Sequence, residues 1–191
     1  MRDAARGQVW LIAFAALASA CGRHGSSTPP SLDGGLAAVV TPLPTCSDLP
    51  KCEEACRQGV AHECLTAGGS YDSGRGASQD QRRATELFER ACALGSGPGC
   101  NQAGRMYEFG HGVAQDLTKA FTLDEAGCRL NDLGSCYNEA VLIERGRGTA
   151  PDQRQAAVLY QRVCAAGSSI ACAAAARLSD GASPPDGGAG H

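Results

Sequence analysis

The residues best suited to chemistry in this 191-residue sequence are its 11 cysteines, because paired cysteines can form disulfides or bind zinc. Eight of them follow a lattice with a step of 36 residues, and the two members of each pair are eight residues apart. The four pairs are Cys56 and Cys64, Cys92 and Cys100, Cys128 and Cys136, and Cys164 and Cys172. Zinc sites use short spacings such as C-x-x-C, and the sequence contains none. The lattice therefore predicts a repeat array with one disulfide in each repeat and no metal site.

Other candidate catalytic residues are few. The four histidines are not spaced with one another or with other ligands: His24, His62, His111 and His191. The H-E-x-x-H pattern of zinc enzymes and the glycine-rich loop of nucleotide-binding proteins do not occur in the sequence. We therefore predict no catalytic residues and no cofactor, and an enzymatic function stays uncertain.

The elements that position the cysteines follow from the residues between them. Three residues after the first cysteine of each pair comes a residue type that tolerates a left-handed backbone and ends a helix: Gly59, Gly95, Asn131 and Gly167. A Gly-x-Gly sequence later in each unit marks a second turn, and an aspartate suited to cap a helix follows it: Asp80, Asp116 and Asp152. The predicted unit is helix, Gly-x-Gly loop, helix and tight turn, and such a turn can bring a cysteine pair within bonding distance.

These residues resemble a known repeat. Gly68, Tyr71, Gly74-x-Gly76, Asp80 and Ala84, with their counterparts 36 residues on, look like the Sel-one-like repeat (SLR) family, a relative of tetratricopeptide repeats. The resemblance implies an all-α protein, an α/α solenoid of about three and a half SLR helical hairpins stapled by disulfides. It covers residues 46–178, and the paired cysteines are similar to the secreted, cysteine-rich branch of the family.

The same resemblance implies binding. The concave side of such an array is lined mainly by the first helix of each unit. The tetratricopeptide groove pattern, mapped onto those helices, predicts these binding residues: Asn101, Arg105, Glu108, Phe109, Tyr137, Glu144 and Arg145. The alternative is that they form an ordinary solvated helix face. The expected partner is a protein or peptide, or a peptidoglycan-associated molecule, and the protein is expected to be monomeric.

A second functional implication of the resemblance is β-lactam binding or weak β-lactamase activity, which is associated with some cysteine-rich SLR proteins. The sequence offers little support for it. Only Lys51 and Lys119 could serve as the lysine of a serine β-lactamase, and neither lies three residues after a serine. The net charge of −3 also argues against nucleic acid as a partner.

The N-terminus predicts export. Arg2 and Arg6 precede an apolar run over residues 9–18, and LASAC, ending at Cys21, resembles a bacterial lipobox. We therefore predict a lipoprotein signal peptide over residues 1–20, a lipidated Cys21 with a flexible tether over residues 21–45, and a disordered tail over residues 179–191. The predicted location is the bacterial envelope, with the outer membrane favoured; an uncleaved anchor and plain secretion are the alternatives.

Lipidation of Cys21 leaves ten cysteines, an even number. Eight belong to the lattice, so Cys46 and Cys52 form a predicted fifth pair, which suits export to an oxidising compartment. Cys52 and Cys56 are four residues apart on one helical face, so pairing between them stays open as an alternative.

Overall fold

The computed structural model describes residues 48–181, and within this range the chain forms eight α-helices and no strands. The helices are α1 (Leu49–Arg57), α2 (Ala61–Ser73), α3 (Gln81–Ala93), α4 (Gly97–Phe109), α5 (Leu117–Arg129), α6 (Leu133–Arg145), α7 (Gln153–Ala165) and α8 (Ser169–Ser179). The prediction of an all-α chain is confirmed. The predicted signal peptide, Cys21, the tether, Cys46 and residues 182–191 lie outside the described residues. No helix in residues 48–181 is long and apolar enough to cross a membrane.

Aspartates begin the odd-numbered helices, as the repeat pattern predicts. Asp80, Asp116 and Asp152 are the N-cap residues of α3, α5 and α7, and each side chain accepts a hydrogen bond from a backbone N–H in the first turn. A carboxylate there also meets the positive end of the helix dipole. These local contacts fix the start of each odd-numbered helix.

The tight turns between α1 and α2, α3 and α4, α5 and α6, and α7 and α8 each contain one left-handed residue. The φ angles are positive at Gly59, Gly95, Asn131 and Gly167, and the last helical carbonyls accept hydrogen bonds from the turn, as in the 2.9 Å bond from the Gly95 N–H to the Cys92 oxygen. The turn is short enough to bring the two flanking cysteines together. Four disulfides result, Cys56–Cys64, Cys92–Cys100, Cys128–Cys136 and Cys164–Cys172, with Cα–Cα distances of 4.4–4.6 Å.

The bridge between Cys46 and Cys52 stays a prediction, because Cys46 is outside the described range. Cys52 is disulfide-bonded, and Cys56 is bonded to Cys64, so the alternative pairing of Cys52 with Cys56 does not occur here.

Helices α1 to α6 pack in two layers. Contacts of α2 with α4 and of α4 with α6 define one layer, and contacts of α1 with α3 and of α3 with α5 define the other. The apolar interior divides into two clusters, one from Cys56 to Met106 and the other from Cys128 to Leu178. Phe88 is fully buried in the first cluster and Tyr160 in the second. The residue midway between them in the 36-residue register is Asp124, which is also fully buried.

Ion pairs connect successive hairpins. Each joins side chains 30 to 39 residues apart: Glu53 with Arg83, Glu89 with Lys119, Glu108 with Arg147, and Glu144 with Arg177, at 2.5–3.1 Å. A tyrosine hydroxyl donates to the glutamate in three of the four, and the 2.7 Å bond from Tyr160 to Glu144 is buried. These contacts hold neighbouring repeats in register, where no disulfide of the described residues connects them.

Candidate ligand-binding groove

A concave pocket of about 480 Å³ lies where α4, α6 and the turn between α7 and α8 meet. The lining from α4 consists of Asn101 and Arg105, which are four residues apart and therefore share one helix face. The same spacing places Leu133, Gly134, Tyr137 and Asn138 of α6 on the opposite wall. We call this pocket the α4–α6 groove; its third wall consists of Val163, Ala166, Ser168 and Ile170.

The floor and rim of the groove are largely apolar. Tyr137 packs edge-on against Tyr160, with ring centroids 5.6 Å apart, which holds its ring in place within the second core cluster. Leu133 and Ile170 keep 40% and 56% of their surfaces exposed. An apolar pocket with a few polar groups at its edge is the usual form of a ligand site.

The charge of the groove comes from Arg105. This arginine is exposed, and its Nη1 donates a 3.3 Å hydrogen bond to Oε1 of Gln102, one turn earlier on α4. No carboxylate of the described chain lies within 4 Å of its guanidinium, in contrast to Arg83, Arg147 and Arg177. None of the ten lining residues is acidic. The groove therefore carries one unpaired positive charge.

A buried carboxyl group lies behind the groove wall. Asn138 lines the groove, and its Nδ2 donates a 3.4 Å hydrogen bond to Oδ1 of Asp124. The other oxygen, Oδ2, is buried and has no hydrogen-bond partner in residues 48–181. Burial raises the pKa of Asp124 to about 8, with smaller raising contributions from the carboxylates of Glu108, Asp132 and Glu139 and a lowering contribution from the Asn138 hydrogen bond. The group is therefore mainly protonated at neutral pH.

The structure brings three of the seven predicted binding residues together and separates the others. Asn101, Arg105 and Tyr137 line the groove. Glu108 is bound to Arg147 at 2.8 Å, and Glu144, with a side chain 3% exposed, is bound to Arg177 at 2.6 Å, so both glutamates hold repeats together. Phe109 and Arg145 are exposed at the ends of α4 and α6 and do not line the pocket.

The tetratricopeptide groove pattern was mapped onto α4 and α6 and did not select Leu133 and Asn138 of α6. Val163 and Ile170 were missed because they lie on α7 and α8, outside the mapped helices. No sequence signal marked these four. Asp124 did have a signal, because it is the one acidic residue in a register otherwise occupied by Phe88 and Tyr160.

Other parts of the described chain are weaker candidates for a functional site. A pocket of about 310 Å³ between α1 and α3 is lined by Arg57, Arg83 and Arg90, but their guanidiniums are bound to carboxylates or to backbone carbonyls. No group of three or more histidine, cysteine, aspartate or glutamate side chains within the described part of the chain could hold a metal ion. Both lysines are occupied, Lys51 by Asp48 and Lys119 by Glu89.

Comparison with known proteins identifies the repeat. The family model of the Sel1 repeat matches residues 67–96, 97–132 and 130–168, which together span more than half of the chain. A comparison with curated protein sequences found no match. These three segments contain α3 to α7 and part of α2, so they cover most of the groove.

Solved structures show the same architecture. A Sel1 repeat protein from Oxalobacter formigenes is 25% identical with a TM-score of 0.61, and the match covers 71% of this chain and 99% of that one. A protective antigen present in uropathogenic Escherichia coli strains, which displays an SLR fold, is 26% identical with a TM-score of 0.66, and the match covers 70% of this chain and 29% of that one. Helicobacter pylori cysteine rich protein B is 29% identical with a TM-score of 0.52, and the match covers 65% of this chain and 90% of that one. The predicted solenoid of disulfide-stapled helical hairpins is confirmed.

Proposed function

Because the chain belongs to the Sel1 repeat family, we propose that it is an envelope-anchored binding module whose α4–α6 groove holds a peptide segment of a partner protein. Sel1 repeats are generally protein–protein interaction modules. The observation that carries the proposal is the groove itself, an apolar pocket with exposed Leu133 and Ile170 and an unpaired Arg105 at its edge. Exposed apolar side chains gathered around a concavity mark a binding site more often than a bare solvated surface.

The groove is tested by removing apolar surface at its rim. The oxidised full-length chain is used to select binders from a library of random peptides displayed on phage, and the selected peptides are titrated by fluorescence anisotropy. Ile170→Asn should weaken binding about tenfold, because it removes an exposed side chain that the ligand would bury.

The matched control is Val158→Asn, which changes an aliphatic side chain of α7 that is 64% exposed and outside the groove. It should leave the affinity unchanged. Equal affinity of wild-type protein, Ile170→Asn and Val158→Asn for every selected peptide would place binding elsewhere, and a selection that yields no peptide would refute peptide binding.

Four disulfides and the likeness to a cysteine-rich SLR protein indicate a protein located outside the cytoplasm. The lipid anchor belongs to the proposal and rests on the lipobox-like LASAC sequence that ends at Cys21. Wild-type protein expressed in a bacterial host should incorporate labelled palmitate and partition into detergent, and Cys21→Ser should do neither. Labelled Cys21→Ser protein would place the lipid elsewhere. When the membranes of this host are fractionated, we expect the wild-type protein in the outer membrane.

The alternative of β-lactam binding or hydrolysis is not favoured. Ser168 is the serine of the groove, and its hydroxyl accepts a hydrogen bond from the Ala171 N–H as the N-cap of α8. The ion pairs of Lys51 and Lys119 leave no lysine beside it to act as a base. Hydrolysis of nitrocefin by the oxidised protein would overturn this conclusion.

A further inference from the structure

We propose that the α4–α6 groove selects acidic peptides, in which a carboxylate lies within a few residues of a bulky apolar side chain. The inference rests on the proposed function and names the chemistry of its ligand. It follows from the charges of the groove wall and from the polar groups that the fold leaves available there.

The groove and an acidic ligand have complementary charges. Arg105 is the one ionisable cation among the ten lining residues, and the lining contains no acid that could neutralise it. Elsewhere in residues 48–181, Arg83, Arg147 and Arg177 are bound to glutamates of the preceding hairpin. A guanidinium binds a carboxylate through two parallel hydrogen bonds, so Arg105 can give the ligand's carboxylate both affinity and orientation.

The polar groups around Arg105 are also available to a ligand. Asn101 lies one turn earlier on the same face, and its side chain makes no hydrogen bond with another described residue, so its amide can bind a peptide backbone. The Tyr137 hydroxyl is similarly without a partner in the described chain. The first turn of α8, capped by the uncharged Ser168, borders the groove and adds a partial positive charge. Most polar groups of the wall can therefore donate hydrogen bonds.

An apolar surface lies next to Arg105 in the groove. Leu133, Val163 and Ile170 come from two different hairpins and leave a cavity of about 480 Å³, which suits one or two bulky side chains of a ligand. A carboxylate alone would bury none of this surface. A ligand that combines a carboxylate with an apolar side chain uses both parts of the groove.

The acidic side chain of Asp132 lies beside Gly134 of the groove and is already committed to the fold. Asp132 is the N-cap of α6, and its Oδ1 accepts a 2.7 Å hydrogen bond from the Ser135 N–H. Its carboxylate therefore serves the start of the helix and does not line the groove. Glu108, on the next turn of α4, is neutralised by Arg147.

The test compares matched peptides and matched arginines. Peptides selected on phage against the oxidised full-length chain are resynthesised with each Asp or Glu changed to Asn or Gln, and all are titrated against wild-type protein, Arg105→Gln and Arg145→Gln. Arg145 is an exposed arginine of α6 outside the groove, so its variant controls for the loss of one positive charge.

We expect the selected peptides to be enriched in acidic residues beside Leu, Ile or Phe. Amidation of one carboxylate should weaken binding about tenfold or more, Arg105→Gln should cause a similar loss, and the two changes together should cost little more than either alone. Arg145→Gln should bind as the wild type does. Binding should also weaken as salt is raised from 50 to 500 mM.

Three results would overturn the inference. Peptides that bind the groove without an acidic preference, and that are sensitive to Ile170→Asn but not to Arg105→Gln, would leave the proposed function standing and refute the ligand class. Equal losses for Arg105→Gln and Arg145→Gln would show a general charge effect. Self-association in sedimentation experiments that Arg105→Gln abolishes would make a second copy of the chain the occupant. Failure to select any peptide would instead refute the proposed function.

Discussion

Asp124 should lower the stability of this protein as the pH rises, and its replacement by asparagine should remove that effect. The carboxyl group is fully buried on α5, opposite Gly104 of α4, where a Cβ would lie 3.1 Å from its oxygens. Asparagine has the same shape as the protonated acid but cannot ionise. Asp124→Asn therefore changes the titration of this group while keeping the packing of the α4–α5 interface.

The magnitude follows from the raised pKa. In the unfolded chain an aspartate titrates near 3.9, whereas burial raises the pKa of Asp124 in the folded protein to about 8. Between these values the folded state holds a proton that the unfolded state has lost, so the free energy of unfolding falls with increasing pH. Each pH unit corresponds to about 1.4 kcal/mol, which gives a loss on the order of 4 kcal/mol at pH 7 relative to pH 4 or below. Above pH 8 the loss levels off.

Urea unfolding followed by circular dichroism at pH 4, 5.5, 7 and 8.5, with the disulfides intact, measures this dependence. The wild-type protein and Asp124→Asn should have similar stabilities at pH 4, and the variant should be the more stable by several kcal/mol at pH 7. Burial also raises the pKa of Glu139, which adds a decline of the same sign, but that contribution is common to both proteins. The difference between the two curves therefore isolates Asp124.

Asp116→Asn is the matched control, because it makes the same chemical change at the exposed N-cap of the same helix, and asparagine is also a good N-cap. Its stability should follow the wild-type curve closely. Parallel curves for wild type and Asp124→Asn between pH 4 and 8.5 would refute the argument, since they would mean that Asp124 titrates alike in the folded and unfolded states.

Two further predictions concern the contacts within and between hairpins. Glu144→Ala leaves Arg177 and the Tyr160 hydroxyl unpaired in the interior and should cost about 3–5 kcal/mol in urea unfolding. Glu54→Ala, which removes the exposed ion pair with Arg57, should change the stability little, and equal losses in the two variants would contradict the structural role of Glu144. The double variant Cys128→Ala/Cys136→Ala, measured without reductant, should lose about 2–3 kcal/mol because its unfolded chain is no longer closed into a short loop. An unchanged urea midpoint would show that this bridge is dispensable.

The fold was predictable because its main determinants are local. A cysteine, a left-handed Gly or Asn three residues later, and an aspartate before each odd-numbered helix act within a few residues of one another, so their spacing predicts the hairpins directly. The groove was predictable only in part. The predicted roles of Glu108 and Glu144 depended on which side chains of later helices would reach them, and Arg147 and Arg177 lie 39 and 33 residues away.

The burial of Asp124 was also not predictable from the sequence alone. Its register with Phe88 and Tyr160 is visible in the sequence, but its burial follows from the close approach of α4 at Gly104 and from the packing of α6. A single acidic residue in an apolar register is equally compatible with a helix that turns this face to water. The three-dimensional arrangement decides between the two.

The position of the disulfides bears on how such arrays change length. Both cysteines of each bridge lie within a single 36-residue period, and they bond to each other across one tight turn. Duplication or deletion of a whole period therefore adds or removes a complete bridge and leaves no thiol without its partner. The array can grow or shrink by one hairpin in a gene while its oxidative folding stays a set of independent local reactions, and new groove walls can be gained without a new problem of cysteine pairing.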